Sequence, residues 1–366
     1  MRSVRIGNEE IRLKKMGVKT NFLEEVGVVK TARREAESLL LLRAILKKQS
    51  LPRTDHERFL ELSRLNKVVL RATSILDISP KIVNESNASA EEAMRLYELV
   101  SKTLEEEGIS FAVIKSFDSL PDIGHDLDFL IPSSTDFHRA RDILVNKFRV
   151  KVEGLTFCDM VVGKFSCFLP GFKHDFELYP TVSQLGEQHL DTREVMTNRK
   201  TSYVSGRRVW LTSDVDRVII RVVHAMFRHN FLKLSDVLDF ITLTRDCSSP
   251  EIMDAVDRAG IGDAFIFFLS TLDRFLKASQ YDCPKLDVLR TDAKHRFGRD
   301  RLGALRRDRL VLPYRIPTLA LLVLFLLKAG REASRGRLKS ALLCLFAPPL
   351  LLMDFGANAL SGHRLW

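Results

Sequence analysis

The sequence predicts an α+β protein: a small mixed-sheet core flanked by N-terminal helices and a C-terminal helical region. Three observations predict it. The hydrophobic period changes from helical to strand-like after Gly108. Short β-branched and aromatic runs then follow one another, broken at Pro121, Gly124, Pro132 and Pro180. Helical periodicity returns after residue 183 and continues through the Phe-rich segment ending at Ala278. At 366 residues the chain has room for more than one compact unit. The predicted divisions are an N-terminal helical region (1–88), the sheet core (89–182), a helical domain (183–310) and a basic, apolar tail (311–366).

Residues 1–30 carry no single period. The stretch from Thr31 to Lys48 has a helical stripe supplied by SLLLLRAIL, and Asp55 to Leu76 reads as a second helix with an acidic first turn. Pro80 and two asparagines mark 78–88 as a connection. Ser89 is placed to cap a long helix, with Glu91 or Glu92 near the capping-box position and Gly108 as its stop. Strands are expected at 109–114, 126–131, 149–153, 158–162, 164–169 and 173–178, with a helix over 136–148 capped by Ser134 or Thr135. Ser183–Met196 is expected to be helical, TSYVSGRRVWL to form a strand pair turning at Gly206, and Asp214–Asp246 one or two helices with Asp214 as cap. Ile261–Ala278 is a further helix.

Hydrophobic residues make up 45% of the chain and charged residues 28%, which excludes disordered and fibrous classes. The five cysteines form no CxxC pair, so neither a disulfide framework nor a cysteine zinc site is expected, in keeping with a reducing cytosol. The net charge of +10 is concentrated. Between Lys294 and Lys339 stand thirteen Lys/Arg and three acids, so the remainder is close to neutral. Two apolar runs, Ile316–Leu327 and Ala341–Met353, lie in and beyond this stretch; both are shorter than the ~20 residues a spanning helix needs, and both contain proline. Two readings of the tail stand side by side: buried helices joined by a solvated basic turn, or contact of 294–353 with an anionic membrane surface. Nucleic acid ranks behind them, because HRFGRDRLGALRRDRL offers one aromatic, Phe297, for stacking.

The residues with chemistry lie in VIKSFDSLPDIGHDLDFLI, Val113–Ile131. Side chains alternate along a strand, so Asp126 and Asp128 share one face while Leu127 and Phe129 turn to the core. Two carboxylates held together repel unless a cation lies between them, and Mg²⁺ takes oxygen ligands from carboxylates and phosphates together. In HDFELYP, Asp175 and Glu177 alternate onto one face in the same way and supply candidates for a third acid. No Walker A motif, GxGxxG or GxSxG occurs.

This arrangement resembles the nucleotidyltransferase fold of the DNA-polymerase-β type: an apolar strand, a small-residue turn, a spacer, a Dx[DE] pair, and a later strand with a third acid. Here Ser116 stands in the turn, residues 117–125 form a nine-residue spacer, and Asp126-Leu127-Asp128 is the pair. Lys115 before the small residue is similar to a poorly characterised nucleotidyltransferase family with an LKG turn and an ELH-like third-acid strand; Phe176-Glu177-Leu178-Tyr179 is similar to that strand, which favours Glu177 over Asp175. His224, His229, Lys233, Leu234 and Asp236 stand at similar places in the family's following helical region. The resemblance spans roughly 90–245, and departs from the pattern in its glycine-free turn and in Tyr179. It implies Asp126, Asp128 and Glu177 as catalytic residues holding two Mg²⁺ ions, with Asp175 as a further candidate ligand. Lys115, Ser116 and Lys233 would contact the phosphates of an NTP such as ATP. The implied reaction transfers an NMP to a hydroxyl of a small-molecule, sugar or protein acceptor. The alternative is an inactive member of the fold that serves as a membrane-surface or partner-binding module. His125 reads as a loop histidine, and His224 and His229, five apart, do not match the i, i+4 spacing of a helical metal pair.

Overall fold

The computed structural model describes residues 4–6, 9–11, 22–51, 56–152, 163–184 and 187–360, with side chains placed for 32–51, 56–152, 163–183 and 188–350. The strand expected at 158–162 lies outside these residues. A hairpin of β1 (Val4–Ile6) and β2 (Glu9–Ile11) precedes α1 (Phe22–Lys47) and α2 (His56–Leu65). α2 is shorter than the sequence predicts. After Leu65 the chain runs through successive turns to Leu76, with Lys67 at φ +55°.

Helix α3 (Pro80–Glu106) begins nine residues before the expected cap. Pro80 starts the helix instead of breaking it, since the first helical position has no intrahelical use for an N–H. Ser89 therefore lies inside the helix and faces His174 (Oγ to Nε2 3.2 Å). Glu92, read as a capping-box residue, instead accepts hydrogen bonds from the backbone N–H groups of Lys173 and His174 and so ties α3 to the sheet. Gly108 ends the segment as expected, at φ +68° with Ile109 N–H donating to Leu104 O.

The core follows as β3 (Ala112–Val113), β4 (Asp126–Leu130), α4 (Ser134–Phe148), β5 (Lys151–Val152), β6 (Phe165–Phe168) and β7 (Asp175–Tyr179). The cap of α4 is Ser133, whose Oγ accepts from Asp136 N–H, one residue earlier than expected. Ser183–Met196 is not one helix. A short pair, β8 (Ser183–Gln184) with β9 (Glu187–Gln188), precedes α5 (Thr192–Thr197), which Asp191 caps. β10 (Lys200–Val204) and β11 (Arg207–Leu211) form the hairpin at Gly206.

The strands assemble into a seven-stranded mixed sheet in the order β10-β11-β3-β4-β7-β6-β5. The sheet thus takes its outer hairpin from beyond residue 182. β4 and β7 are central and parallel, with Asp126 opposite Asp175 and Asp128 opposite Glu177. Leu127, Phe129, Phe176 and Leu178 are fully buried against α3 and α4, around a stacked Tyr97–Phe129 pair. The acids of β4 lie on the other face.

On that other side are α6 (Asp214–Val223), a π-helical turn (His224–Arg228), β12 (Phe231–Leu232), α7 (Leu234–Thr244), α8 (Ser249–Arg258), α9 (Gly262–Ala278) and α10 (Pro284–Phe297). Ser213, not Asp214, caps α6. β13 (Tyr314–Arg315) pairs with β12 and leads into α11 (Thr318–Ser334) and α12 (Leu338–Leu360), which carries Pro348 and Pro349 within it. No described helix is long and apolar enough to cross a membrane. A second hydrophobic core joins Leu41, Leu62 and Val68 of the N-terminal region to Val218, Phe240 and Phe265, and to Leu324 and Ala347 of the last two helices.

Candidate active site

Strand alternation and the β4–β7 register decide the site's geometry. Asp126 and Asp128 share a face of β4, and Glu177 lies directly across from Asp128 on β7. One oxygen from each of the three comes within 4.8 Å of the others. Asp128 and Glu177 are buried, and Asp126 is partly open to solvent. Asp175 is buried on β7, and its carboxylate is not part of this group.

Three carboxylates on one patch, two of them buried, are unfavourable without compensating charge, and the surrounding residues supply it. Lys115 Nζ lies 2.9 Å from Asp128 Oδ1, and Lys164 Nζ lies 2.5 Å from Glu177 Oε1. Tyr179 O–H donates to Glu177 Oε2 and itself accepts from Arg228 Nη1 at 3.2 Å. Ser166 Oγ donates to Glu177 Oε1 at 3.3 Å. For Glu177, burial favours the neutral acid, but Lys115, Lys164 and Arg228 outweigh it and hold the group well below the usual range. Burial acts on Asp126 in the same sense and is likewise outweighed, here by Lys115, His125 and Lys67, so its pKa is lowered. Asp128 goes the other way. Burial first, then the like charges of Asp126 and Glu177, overcome Lys115 and push it up to about 7.

The turn before the spacer is organised by Ser116. Its Oγ accepts from Asp128 N–H at 2.8 Å and donates to Asp128 Oδ2 at 3.1 Å. Ser116 therefore orients an acid, in a position where the sequence points to phosphate contact. The other oxygen, Asp128 Oδ1, is buried and faces Lys115 Nζ, its counter-charge, at 2.9 Å. A glycine does reach the site, although not in the turn. A Cβ on Gly124 would stand 3.0 Å from Asp126 Oδ1, so this residue leaves space at the carboxylate. Three clustered oxygen donors and that space fit a hard divalent cation.

Lys233 lies at the N-terminus of α7, its Nζ 4.9 Å from the centre of the Phe231 ring. Burial, then Lys67, push its pKa down to about 8, while Asp126 acts in the opposite sense. The two histidines are closer than their spacing suggests. Because His224–Arg228 is a π turn, His229 N–H donates to His224 O and the rings meet edge to face, 4.1 Å between centroids. His224 Nε2 lies 3.4 Å from Lys115 Nζ, and burial followed by nearby positive charge keeps the imidazole neutral and thus an acceptor for the ammonium. His125 is an exposed loop residue beside Asp126, with Nδ1 3.9 Å from Oδ1.

Sequence reasoning missed Lys164, Arg228 and Lys67, which counter the acids from three different elements. Nothing in the sequence marks them, since their role depends on the β6–β7 register, the π turn and the fold of a region outside the resemblance.

No family model matches the sequence, and no curated protein matches it. A solved structure of the antibiotic-resistance factor ANT(2'')-Ia is similar over 57% of this chain and 94% of that one, at 11% identity and a TM-score of 0.30. So low a score carries no weight for the fold or the activity of this protein.

Proposed function

We propose that the protein is a Mg²⁺-dependent nucleotidyltransferase that moves an NMP unit from an NTP to a hydroxyl of an acceptor. The observation that carries this reading is the convergence of Asp126, Asp128 and Glu177 from two parallel strands into one oxygen cluster. When bound there, Mg²⁺ would neutralise phosphate charge and favour in-line attack at the α-phosphorus. Asp126 and Asp128 would hold the metal and the phosphates it carries; Glu177 would hold it on the acceptor side. Ser116 fixes the Asp128 carboxylate. Lys115, released from Asp128 on metal binding, and Lys233 would meet the phosphate oxygens as cations. Much of the rate would come from this positioning, with few groups exchanging protons.

The alternative, a member of the fold without chemistry, draws support from the glycine-free turn and from Lys115 already neutralising Asp128. Incubation with α-labelled NTPs, Mg²⁺ and a cell extract separates the two. The enzyme reading predicts Mg²⁺-dependent label transfer that Asp126→Asn reduces at least about a thousandfold while melting stays cooperative. Label transfer that Asp126→Asn leaves intact would sink it.

A further inference from the structure

Helices α11 and α12 form a hairpin with two different faces. Towards the protein they present Leu321, Leu324 and Phe325 from α11, and Ala341, Cys344 and Ala347 from α12, all buried. Away from it they present leucines and a phenylalanine at helical spacing. Leu319, Leu326, Leu338 and Phe346 are 57%, 58%, 66% and 59% exposed, and Leu322, Leu342 and Leu345 are exposed beside them. Single exposed leucines are ordinary, whereas seven on one hairpin mark an interaction surface.

The charge around this face says what kind of surface it meets. From residue 311 to 353 the sequence has six Lys/Arg and one acid. That acid, Glu332, is buried and engaged by Arg337 at 3.4 Å, so it does not look outward. Arg315 is exposed where the chain enters α11, and Arg337 and Lys339 are exposed at the hairpin turn. A second copy seated on this face would bring like charges together at the rim. An apolar strip with cations at both ends instead complements an interface with acyl chains beneath anionic headgroups. Neither helix, as described, is long and apolar enough to cross a bilayer, so the hairpin would lie in the interface plane.

We infer that the outer face of the α11–α12 hairpin docks the protein on an anionic lipid surface, inserting Leu322, Leu326 and Phe346 between headgroups that Arg315 and Lys339 attract. This inference is independent of whether the acidic site is active.

The test is co-sedimentation of the full chain with vesicles of phosphatidylcholine alone and of phosphatidylcholine and phosphatidylglycerol in equal parts. The protein is expected to pellet with the mixed vesicles, less so at high salt, and hardly with phosphatidylcholine. Two variants probe the two components: Leu322→Gln/Leu326→Gln/Phe346→Gln and Arg315→Glu/Lys339→Glu. All five side chains are exposed, so both variants should melt like the wild type, and each should lose about tenfold or more in partitioning. Wild-type protein that stays in solution with the mixed vesicles overturns the inference, as do variants that bind equally well. Light scattering covers the competing occupant. A wild-type dimer that the glutamine variant makes monomeric, with no vesicle binding by either, assigns the face to a second copy and also overturns it.

Discussion

Asp128 concentrates the electrostatics of the site: it is buried, bonded through one oxygen to Ser116, and opposed through the other by Lys115. Its raised pKa, about 7, means that the metal-free protein keeps a proton there that an ordinary aspartic acid would have lost. A cation must displace that proton. Mg²⁺ affinity is therefore expected to rise with pH up to about 7 and then level off, with close to one proton released per binding event on the acid side. Titrations in buffers of different ionisation enthalpy would measure this, and affinity that falls or stays flat over that range would contradict it. The sign for stability runs opposite. A carboxyl raised in the folded state stabilises the protein at low pH, and this contribution is lost as pH rises towards 7. The three acids could be read from the sequence because strand alternation puts i and i+2 on one side. Their counter-charges could not, because Lys164 meets Glu177 across a strand pair whose register sequence does not specify. The ring contact between His224 and His229 was not legible for a related reason: i, i+4 logic assumes an α-helix, and the chain is π-helical there.

At the scale of elements, the nine-residue spacer is held by a buried ion network. Asp118 pairs with Arg217 (2.6 Å) and Arg221 (2.9 Å), and Arg221 pairs also with Asp236 and Asp239 at 3.1 Å and 3.0 Å. Ser119 donates to Asp239 at 2.5 Å, and Asp122 accepts from the N–H groups of Leu70 and Arg71. The loop that delivers Asp126 is thereby fastened to α6, α7 and the turns after α2. Arg221→Ala would leave Asp118, Asp236 and Asp239 short of a buried partner, a loss of about 3–5 kcal/mol. A large drop in melting temperature, accompanied by weaker Mg²⁺ binding, is the expected result; unchanged melting would show that the network does not hold the loop. The network was not legible in the sequence, since Asp118 lies 99 and 103 residues from Arg217 and Arg221. The start of α3 was misread because Pro80 and two asparagines look like a break, although proline is well suited to a first helical turn.

Over the whole molecule, the mixed sheet and its flanking helices follow from the period changes at Gly108 and after residue 183, so the α+β class was legible. How the flanking regions cooperate was not, because long-range packing has no local signal. Asn66 accepts Leu234 N–H through its side chain (2.9 Å) and Ser235 N–H through its backbone, and Leu41, Leu62 and Val68 share a core with α6, α7 and α9. Deleting residues 1–76 would expose that core and withdraw Lys67 and Arg71 from the site and its loop. The truncated chain is expected to lose cooperative melting by circular dichroism, even though it keeps the whole of the acidic motif; retained cooperative melting would refute this. The central claim concerns the three acids, and calorimetric titration of Mg²⁺ with non-hydrolysable analogues of the four NTPs tests it most directly. Metal-dependent nucleotide binding by the wild type, lost in a folded Asp126→Asn/Asp128→Asn variant, is the predicted result. Absence of binding by the wild type with every nucleotide, or equal binding by the double variant, would contradict it.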